Sequence, residues 1–271
     1  MNDIVRDVSP EALARANEAN LAEGFAAMAR AYGGMALDEP DLLWCATGFR
    51  AAGWNRVTRA NFTPESADER IEWVKAQARK LDAPFRWDVG PSMRPEGLGD
   101  QLLRHGLTYE EDEPAMGVAL AELPDELPLP EDVTIERIGD PKTLEVWARV
   151  ACAGFEMPAF VADPLVAAVA RDDLSENAER HYYLARLGGE PVATSSLALA
   201  AGVAGVFAVA TIETARRRGV GASITLAPLL AARNRGYAVG ALQASEMGYP
   251  VYKKIGFSEQ FRYHVYYWRP A

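Results

Sequence analysis

The chain has 271 residues, 49% of them hydrophobic and 24% charged, a globular composition that excludes collagen-like and intrinsically disordered classes. Its length is generous for one hydrophobic core and comfortable for two domains of about 130 residues each. The formal charge is −10, and the excess lies wholly in the first half: residues 1–130 carry 13 basic and 23 acidic side chains, residues 131–271 carry 15 of each, which disfavours nucleic-acid binding and assigns any anionic ligand to the second half.

Taken in chain order, helical spacing predicts a helix from Pro10 to Ala31 and another from Glu69 to Leu81, where Ile71, Val74 and Ala78 share a face. Short strands are expected at Arg56–Ala60 and Phe85–Val89, a helix at Gly97–His105 and a strand at Ala115–Leu120. The stretch Leu123-Pro124-Asp125-Glu126-Leu127-Pro128-Leu129-Pro130-Glu131-Asp132 has three prolines and four acids. Proline removes backbone donors and favours extended neighbours, so this stretch reads as a linker. The expected organisation is an accessory domain at 1–125, a linker at 126–131 and a second domain at 132–271.

In the second half a strand is expected at Val133–Arg137, then helices at Pro141–Ala153 and Leu165–Ala170. Strands at Tyr182–Leu187 and Val192–Leu199 are joined by Gly188-Gly189, a hairpin signal. A strand at Gly205–Thr211, a helix at Val220–Asn234, a strand at Val239–Ala244, a short helix at Gly248–Lys254 and a β-rich end at Phe261–Trp268 complete the pattern. Alternating helices and strands argue for an α/β or α+β class, with a mixed sheet expected. No apolar run reaches the roughly 18 residues of a membrane-spanning helix. The opening Met1–Asp7 lacks the apolar core of a secretory leader. Cys45 and Cys152 stand far apart without a CxxC partner, and the three histidines are scattered. The expectation is a cytoplasmic protein with no metal site, no membrane partner and no nucleic-acid partner.

The segment Arg216-Arg217-Arg218-Gly219-Val220-Gly221-Ala222 falls between an expected strand and an expected helix. Glycines permit positive φ and close approach of a ligand. The free N–H groups and dipole of a helix start, with three arginines, make a pyrophosphate cradle. A solvated basic turn is the bland alternative, and neither GxGxxG nor GxxxxGK[ST] is present.

With its context, this half resembles the GCN5-related N-acetyltransferase (GNAT) family. The family loop [Q/R]-x-x-G-x-[G/A] is matched by Arg216, Gly219 and Gly221. The pattern N-x-x-A-x-x-L-Y-x-x-x-G-F aligns with Ser245–Phe257: Tyr252, Gly256 and Phe257 match, while Ser245, Gly248 and Val251 replace the Asn, Ala and Leu. Val209-Ala210-Thr211 and Leu242–Gly248 look like a bacterial subgroup. The resemblance spans roughly residues 132–271.

It implies an acyl-CoA N-acyltransferase fold and transfer of an acetyl group from acetyl-CoA to an amine acceptor. It implies Tyr252 as the acid that protonates the departing thiolate. Backbone groups of Val209 and Thr211 would pair with the pantetheine arm on a splayed strand, and Arg216, Arg217, Arg218, Gly219, Val220, Gly221 and Ala222 would hold the pyrophosphate. Tyr252 as a core anchor is the alternative role. Glu213, Glu246 or a water chain would serve as base, and Gly154–Phe160 would border the acceptor pocket or anchor a loop. An acyl-CoA-binding or sensor protein without turnover is the alternative function. Pro228, inside the expected helix, predicts a lost hydrogen bond and a bend.

The first half contains Arg94-Pro95-Glu96-Gly97-Leu98-Gly99, an R-x-x-G-x-G skeleton after a strand. It looks like a degenerate second copy of the same fold, as in tandem family members, with no catalytic role.

Overall fold

A computed structural model describes residues 3–270. Met1 and Asn2, part of the opening stretch read above, lie outside the described residues, as does Ala271. The first half runs α1 (Pro10–Ala31), β1 (Met35–Glu39), β2 (Leu42–Ala46), β3 (Arg56–Thr58), α2 (Ala67–Leu81), β4 (Phe85–Val89), α3 (Leu98–Arg104) and β5 (Thr108–Ala119). The second runs β6 (Val133–Arg137), α4 (Pro141–Gly154), α5 (Ala159–Val169), β7 (Arg180–Leu187), β8 (Glu190–Ala200) and β9 (Val203–Thr211). It ends with α6 (Val220–Asn234), β10 (Val239–Gln243), α7 (Tyr249–Lys254) and β11 (Ser258–Trp268).

These elements form two compact units, neither contiguous in sequence. Unit 1 joins residues up to Asn20 with Ala115–Gln260, and unit 2 joins Leu21–Pro114 with the residues from Phe261 onward. The sequence reading expects one boundary, in the proline-rich stretch at 126–131. The structure instead divides within α1, β5 and β11. The cause is strand pairing. In unit 1, Ala115–Ala119 of β5 pair antiparallel with β10. In unit 2, His264–Trp268 of β11 pair antiparallel with β4. Each unit thus closes its sheet with a strand end that follows the other unit's last helix in sequence.

Unit 1 is a mixed sheet in the order β6, β7, β8, β9, β10, β5. The β6–β7–β8–β9 meander is antiparallel, β10 is parallel to β9, and α6 makes the crossover between them. Hydrophobic residues of α6 (Val220, Ile224, Leu226, Leu229) pack with Val206, Leu197 and Leu242 of the sheet. Burying side chains of this size contributes about 1.5–3 kcal/mol each. The proline-rich stretch is tied to this unit: Leu123 is buried, Arg233 donates to the carbonyls of Leu123 and Pro124, and Ser223 Oγ donates to that of Pro128.

The first half of α1 is anchored by two buried asparagines. Asn17 Nδ2 donates to the carbonyls of Met116 and Leu242, and Asn20 Nδ2 to those of Ala198, Ala200 and Val203. A buried amide needs such partners, and here they are sheet carbonyls on four strands.

Unit 2 repeats part of this plan. β3 and β4 are parallel, with α2 between them, as β9 and β10 are with α6. The correspondence continues into the next helix. Phe257 N–H donates to Tyr252 C=O at 3.0 Å past Gly256 (φ +107°), and Leu107 N–H donates to Leu102 C=O at 3.0 Å past Gly106 (φ +79°). Leu102-x-x-x-Gly106-Leu107 is therefore the counterpart of Tyr252-x-x-x-Gly256-Phe257.

This corrects one sequence reading. The Arg94–Gly99 skeleton follows β4, the counterpart of β10, so it is not the counterpart of the Arg216–Gly221 loop. That place belongs to residues 59–66, between β3 and α2, which contain no glycine. A six-residue pattern cannot reveal which strand precedes it, and parallel pairing does.

Candidate active site

β9 and β10 pair over two positions only, Ala204 with Gly240 and Gly205 with Ala241. Beyond Gly205 the two strands separate, while β9 stays paired with β8 as far as Thr211. Between them, the register of β9 on β8 shifts: Phe207 faces Ser196 and Ala210 faces Thr194, so Ala208 and Val209 together oppose Ser195. This is a β-bulge, and Ala208 takes a left-handed φ of +51° within it. Surrounding bonds hold it: Thr194 Oγ1 donates to Ala208 C=O at 3.0 Å and Trp147 Nε1 to Ser195 C=O at 3.0 Å.

The bulge sets which backbone groups are free. Ile212 N–H donates to Val192 C=O at 3.0 Å. Alternation along an antiparallel ladder then turns Ala210 toward β8, and Val209 and Thr211 toward the gap that β10 has left. Thr211 C=O accepts from Arg216 Nε at 3.1 Å, leaving its N–H and the Val209 backbone at that edge.

The loop after β9 runs through a short 3-10 turn at Glu213–Ala215 into α6. Arg217 (φ +59°) and Gly219 (φ +81°) are left-handed, and Gly219 caps α6. Ala222 and Ser223 already donate to Gly219 C=O. The N–H groups of Arg217, Gly219, Val220 and Gly221 have no acceptor among the described residues, while that of Arg218 closes the turn at Arg216–Arg217. Arg217 and Arg218 are exposed, with no ion-pair partner there. Free N–H groups at a helix start, with two open guanidiniums, are the groups an anion cradle requires.

Arg216 behaves differently from its two neighbours. Its guanidinium reaches Gly154 C=O at 3.3 Å and Glu156 at 3.4 Å besides Thr211. It latches the end of α4 to the end of β9, a role a motif match alone does not reveal.

Tyr252 lies on α7 in the core with Leu242, Ala244 and Phe257, and Val209 and Ile212 border that core. It is 7% exposed. Its hydroxyl bonds no protein group among the described residues, and burial pushes its pKa up to about 12, so the phenol stays protonated. A Cβ at Gly248 would lie 2.7 Å from the Tyr252 ring, which accounts for glycine where the family pattern has alanine. Ser245, in the family's Asn position, caps the turn: its Oγ accepts from Gly248 N–H at 3.1 Å.

The two candidate bases, Glu213 and Glu246, are both exposed. Phe155 and Phe160 are 45% and 68% exposed, so they do not anchor their loop in the core. Phe155 lies between Gly154 and Glu156 of the α4–β9 latch, and both rings are unburied aromatic surface. Among the described residues no group of three or more His, Cys, Asp or Glu side chains is placed to hold a metal, and no helix is long and apolar enough to cross a membrane.

No protein-family model and no curated protein matches this chain. Solved structures do. A GCN5-related N-acetyltransferase from Kribbella flavida is 19% identical, with a TM-score of 0.71 over 98% of this chain and 97% of that one. A GCN5-related N-acetyltransferase from Sphaerobacter thermophilus is 17% identical, with a TM-score of 0.65 over 98% and 96%. A tandem GNAT protein from the clavulanic acid biosynthesis pathway is 17% identical, with a TM-score of 0.56 over 85% and 79%. The fold expected from the sequence resemblance is therefore the fold observed.

Proposed function

We propose that this chain, built on the GCN5-related N-acetyltransferase fold, is an acetyl-CoA-dependent N-acetyltransferase acting on a primary amine. The observation that carries the reading is the conjunction of four acceptor-less N–H groups between Arg217 and Gly221 with the unpaired edge of β9. That conjunction suits a polyanion joined to an extended amide chain. The pyrophosphate fits the N–H cradle and the Arg217 and Arg218 guanidiniums, with Ala222 completing the first turn of α6. The two amides of pantetheine suit the free backbone groups of Val209 and Thr211, as an added strand would.

Bound acetyl-CoA supplies an activated thioester carbonyl. The residues of this chain would do the rest. The Val209 N–H, at the gap, would donate to a carbonyl oxygen there. Tyr252 would hold the proton that the departing thiolate takes up, its hydroxyl kept neutral by burial and uncommitted to any protein partner. Neither Glu213 nor Glu246 is enclosed, so amine deprotonation is assigned to solvent. The exposed rings of Phe155 and Phe160 favour an acceptor with an apolar portion.

Titration with CoA tests the binding half. Gly221→Asp places a carboxylate in the cradle while the modest space around its Cβ, with Thr211 Oγ1 at 3.8 Å, tolerates a side chain. Loss of CoA affinity with an unchanged melting temperature is the expected result, and unchanged affinity would remove the site. Thiol release from acetyl-CoA across a panel of amines tests the chemical half. CoA binding with no release for any amine would leave an acyl-CoA-binding protein without turnover.

A further inference from the structure

Unit 1 contains a concave site at the other end of α6 from the Arg217–Gly221 loop. It is a cavity of about 350 Å³ lined by Arg137 of β6, His181 and Tyr183 of β7, Leu197 of β8, Ala231 and Arg235 of α6 and its end, and Glu176 and Asn177 of the preceding loop. That volume lies within the range of small-molecule sites.

The chemistry of the lining is specific. Arg235 Nη1 lies 2.6 Å from His181 Nε2. A guanidinium can only donate, so Nε2 carries the lone pair and the ring proton sits on Nδ1. Nδ1 is buried and has no hydrogen-bond partner, in a side chain only 4% exposed. A buried N–H without an acceptor is costly, and here the Ala178 backbone beside the ring offsets part of that cost. Tyr183, also buried, offers a hydroxyl with no protein partner among the described residues. Arg137 uses one Nη on Leu174 C=O, at 3.3 Å, and pairs with no acid there. Among the lining residues two guanidiniums face one carboxylate, Glu176, which is exposed, and the charge of Asp173 also reaches His181.

We infer that this cavity binds a small organic carboxylate, held by Arg137 and Arg235 at the rim and by the Tyr183 hydroxyl on the floor. Donors outnumber acceptors among the lining groups, and the excess charge is positive, so the complement is an anion. Leu197 and Ala231 form an apolar wall, which together with the volume favours a carbon skeleton of dicarboxylate or amino-acid size over inorganic phosphate. The site shares no residue with the Arg217–Gly221 cradle, and the inference stands whether or not the chain transfers acetyl groups.

The test is titration of the full chain with succinate, glutamate and inorganic phosphate, followed by melting temperature and by the ring resonances of His181. A saturable rise in melting temperature with a carboxylate is expected, with the His181 signals moving at the same concentrations. Arg137→Gln should weaken that binding by about ten-fold or more, about the worth of one charge-assisted pair. Arg217→Gln, in the other basic loop, should leave it unchanged. Binding unaffected by both Arg137→Gln and Arg235→Gln would overturn the site, as would binding lost in Arg217→Gln. Should Arg235→Gln fail to fold, Arg137→Gln and the His181 resonances decide alone. Tighter binding of phosphate than of either carboxylate, or no saturable response to any of the three, would also overturn the inference.

Discussion

Tyr252 and His181 are both buried titratable groups, and burial acts on them in opposite directions. The Tyr252 phenol, pushed up to about 12 by desolvation, is neutral over the whole working range of an enzyme. Tyr252→Phe keeps the ring against Phe257 and Gly248 and removes only the hydroxyl. Because that hydroxyl bonds no protein group among the described residues, stability should change little, while acetyl transfer should fall by about 10² to 10⁴ if the proton comes from it. The pair of measurements is turnover and melting temperature on the same sample. Preserved turnover would reduce Tyr252 to a packing residue. In the wild type, a loss of activity at alkaline pH well below 12 would have to come from another group. His181 is driven down from 6.5 to about 4 by burial first, then by the Arg235 and Arg137 charges, against weaker pulls from the Ala178 backbone and Asp173. Its folded pKa is depressed, so its contribution to stability is complete above 6.5 and is lost as pH falls through about 4. The melting-temperature gap between wild type and His181→Asn should therefore narrow over that window, and a gap independent of pH would contradict the assignment. Tyr252 was legible in the sequence because its spacing to Gly256 and Phe257 is local. The pairing of His181 with Arg235 was not, because it joins two residues 54 positions apart that no motif links.

At the scale of elements, α6 shows how the fold absorbs a proline. Pro228 cannot donate to Ile224 C=O, the acceptor four residues earlier, and the sequence alone predicts a lost bond. In the structure Ser195 Oγ, from β8, donates to that carbonyl at 2.7 Å in a buried setting. Serine and proline are thus a matched pair across the sheet–helix interface. Ser195→Ala leaves the Ile224 carbonyl without a donor and should cost about 1–3 kcal/mol. Pro228→Ala restores a helical N–H to the same carbonyl, so Ser195→Ala should cost less in that background. A double-mutant cycle by denaturant unfolding reads the coupling, expected at about 1 kcal/mol, and strictly additive effects would dismiss the pair. Elements were most legible where periodicity and punctuation agree: Val220–Asn234, Val133–Arg137 and Phe85–Val89 have the same bounds in sequence and structure. β1 and β2 went unread because Leu42–Ala46 is buried at every position and so lacks alternation, the main signal for a strand. β5 begins at Thr108, earlier than expected, because Tyr109-Glu110-Glu111-Asp112-Glu113 combines exposure with low strand propensity. α5 begins at Ala159, ahead of Pro164, which reads as a break. Asn17 and Asn20 do carry a sequence signal: two asparagines three apart on the apolar face of an alanine-rich helix.

The whole molecule carries the plan of the fold twice, and the copies differ where an acyl-CoA enzyme needs its parts. The loop between β3 and α2 corresponds to the one between β9 and α6, yet its N–H groups are spent on the protein itself. Asn61 donates to Asp41 C=O, Phe62 to Arg94 C=O, Thr63 to Ser66 Oγ, and Ser66 and Ala67 to Thr63 C=O. Arg59, the loop's one guanidinium, is paired with Asp38 and Glu23, and α2 opens with Asp68 and Glu69. A helix start lined with acids, with its donors already engaged, repels a pyrophosphate that the Arg217–Gly221 loop would attract. The position of Tyr252 is taken by Leu102, which has no proton to give. In place of a site, the first copy buries charge: Asp88, fully enclosed, holds Arg56 at 3.1 Å and also Arg86, which in turn holds Glu113. Such a cluster is internally neutralised, and removing one member leaves charge uncompensated. The expectation is one CoA per chain. Calorimetry or equilibrium dialysis should return a stoichiometry of one, and Gly221→Asp should take it to none. Leu102→Tyr, which restores the ring but not the cradle, should leave both stoichiometry and turnover unchanged. A second equivalent bound, or one equivalent surviving in Gly221→Asp, would mean that the first copy has a ligand site of its own.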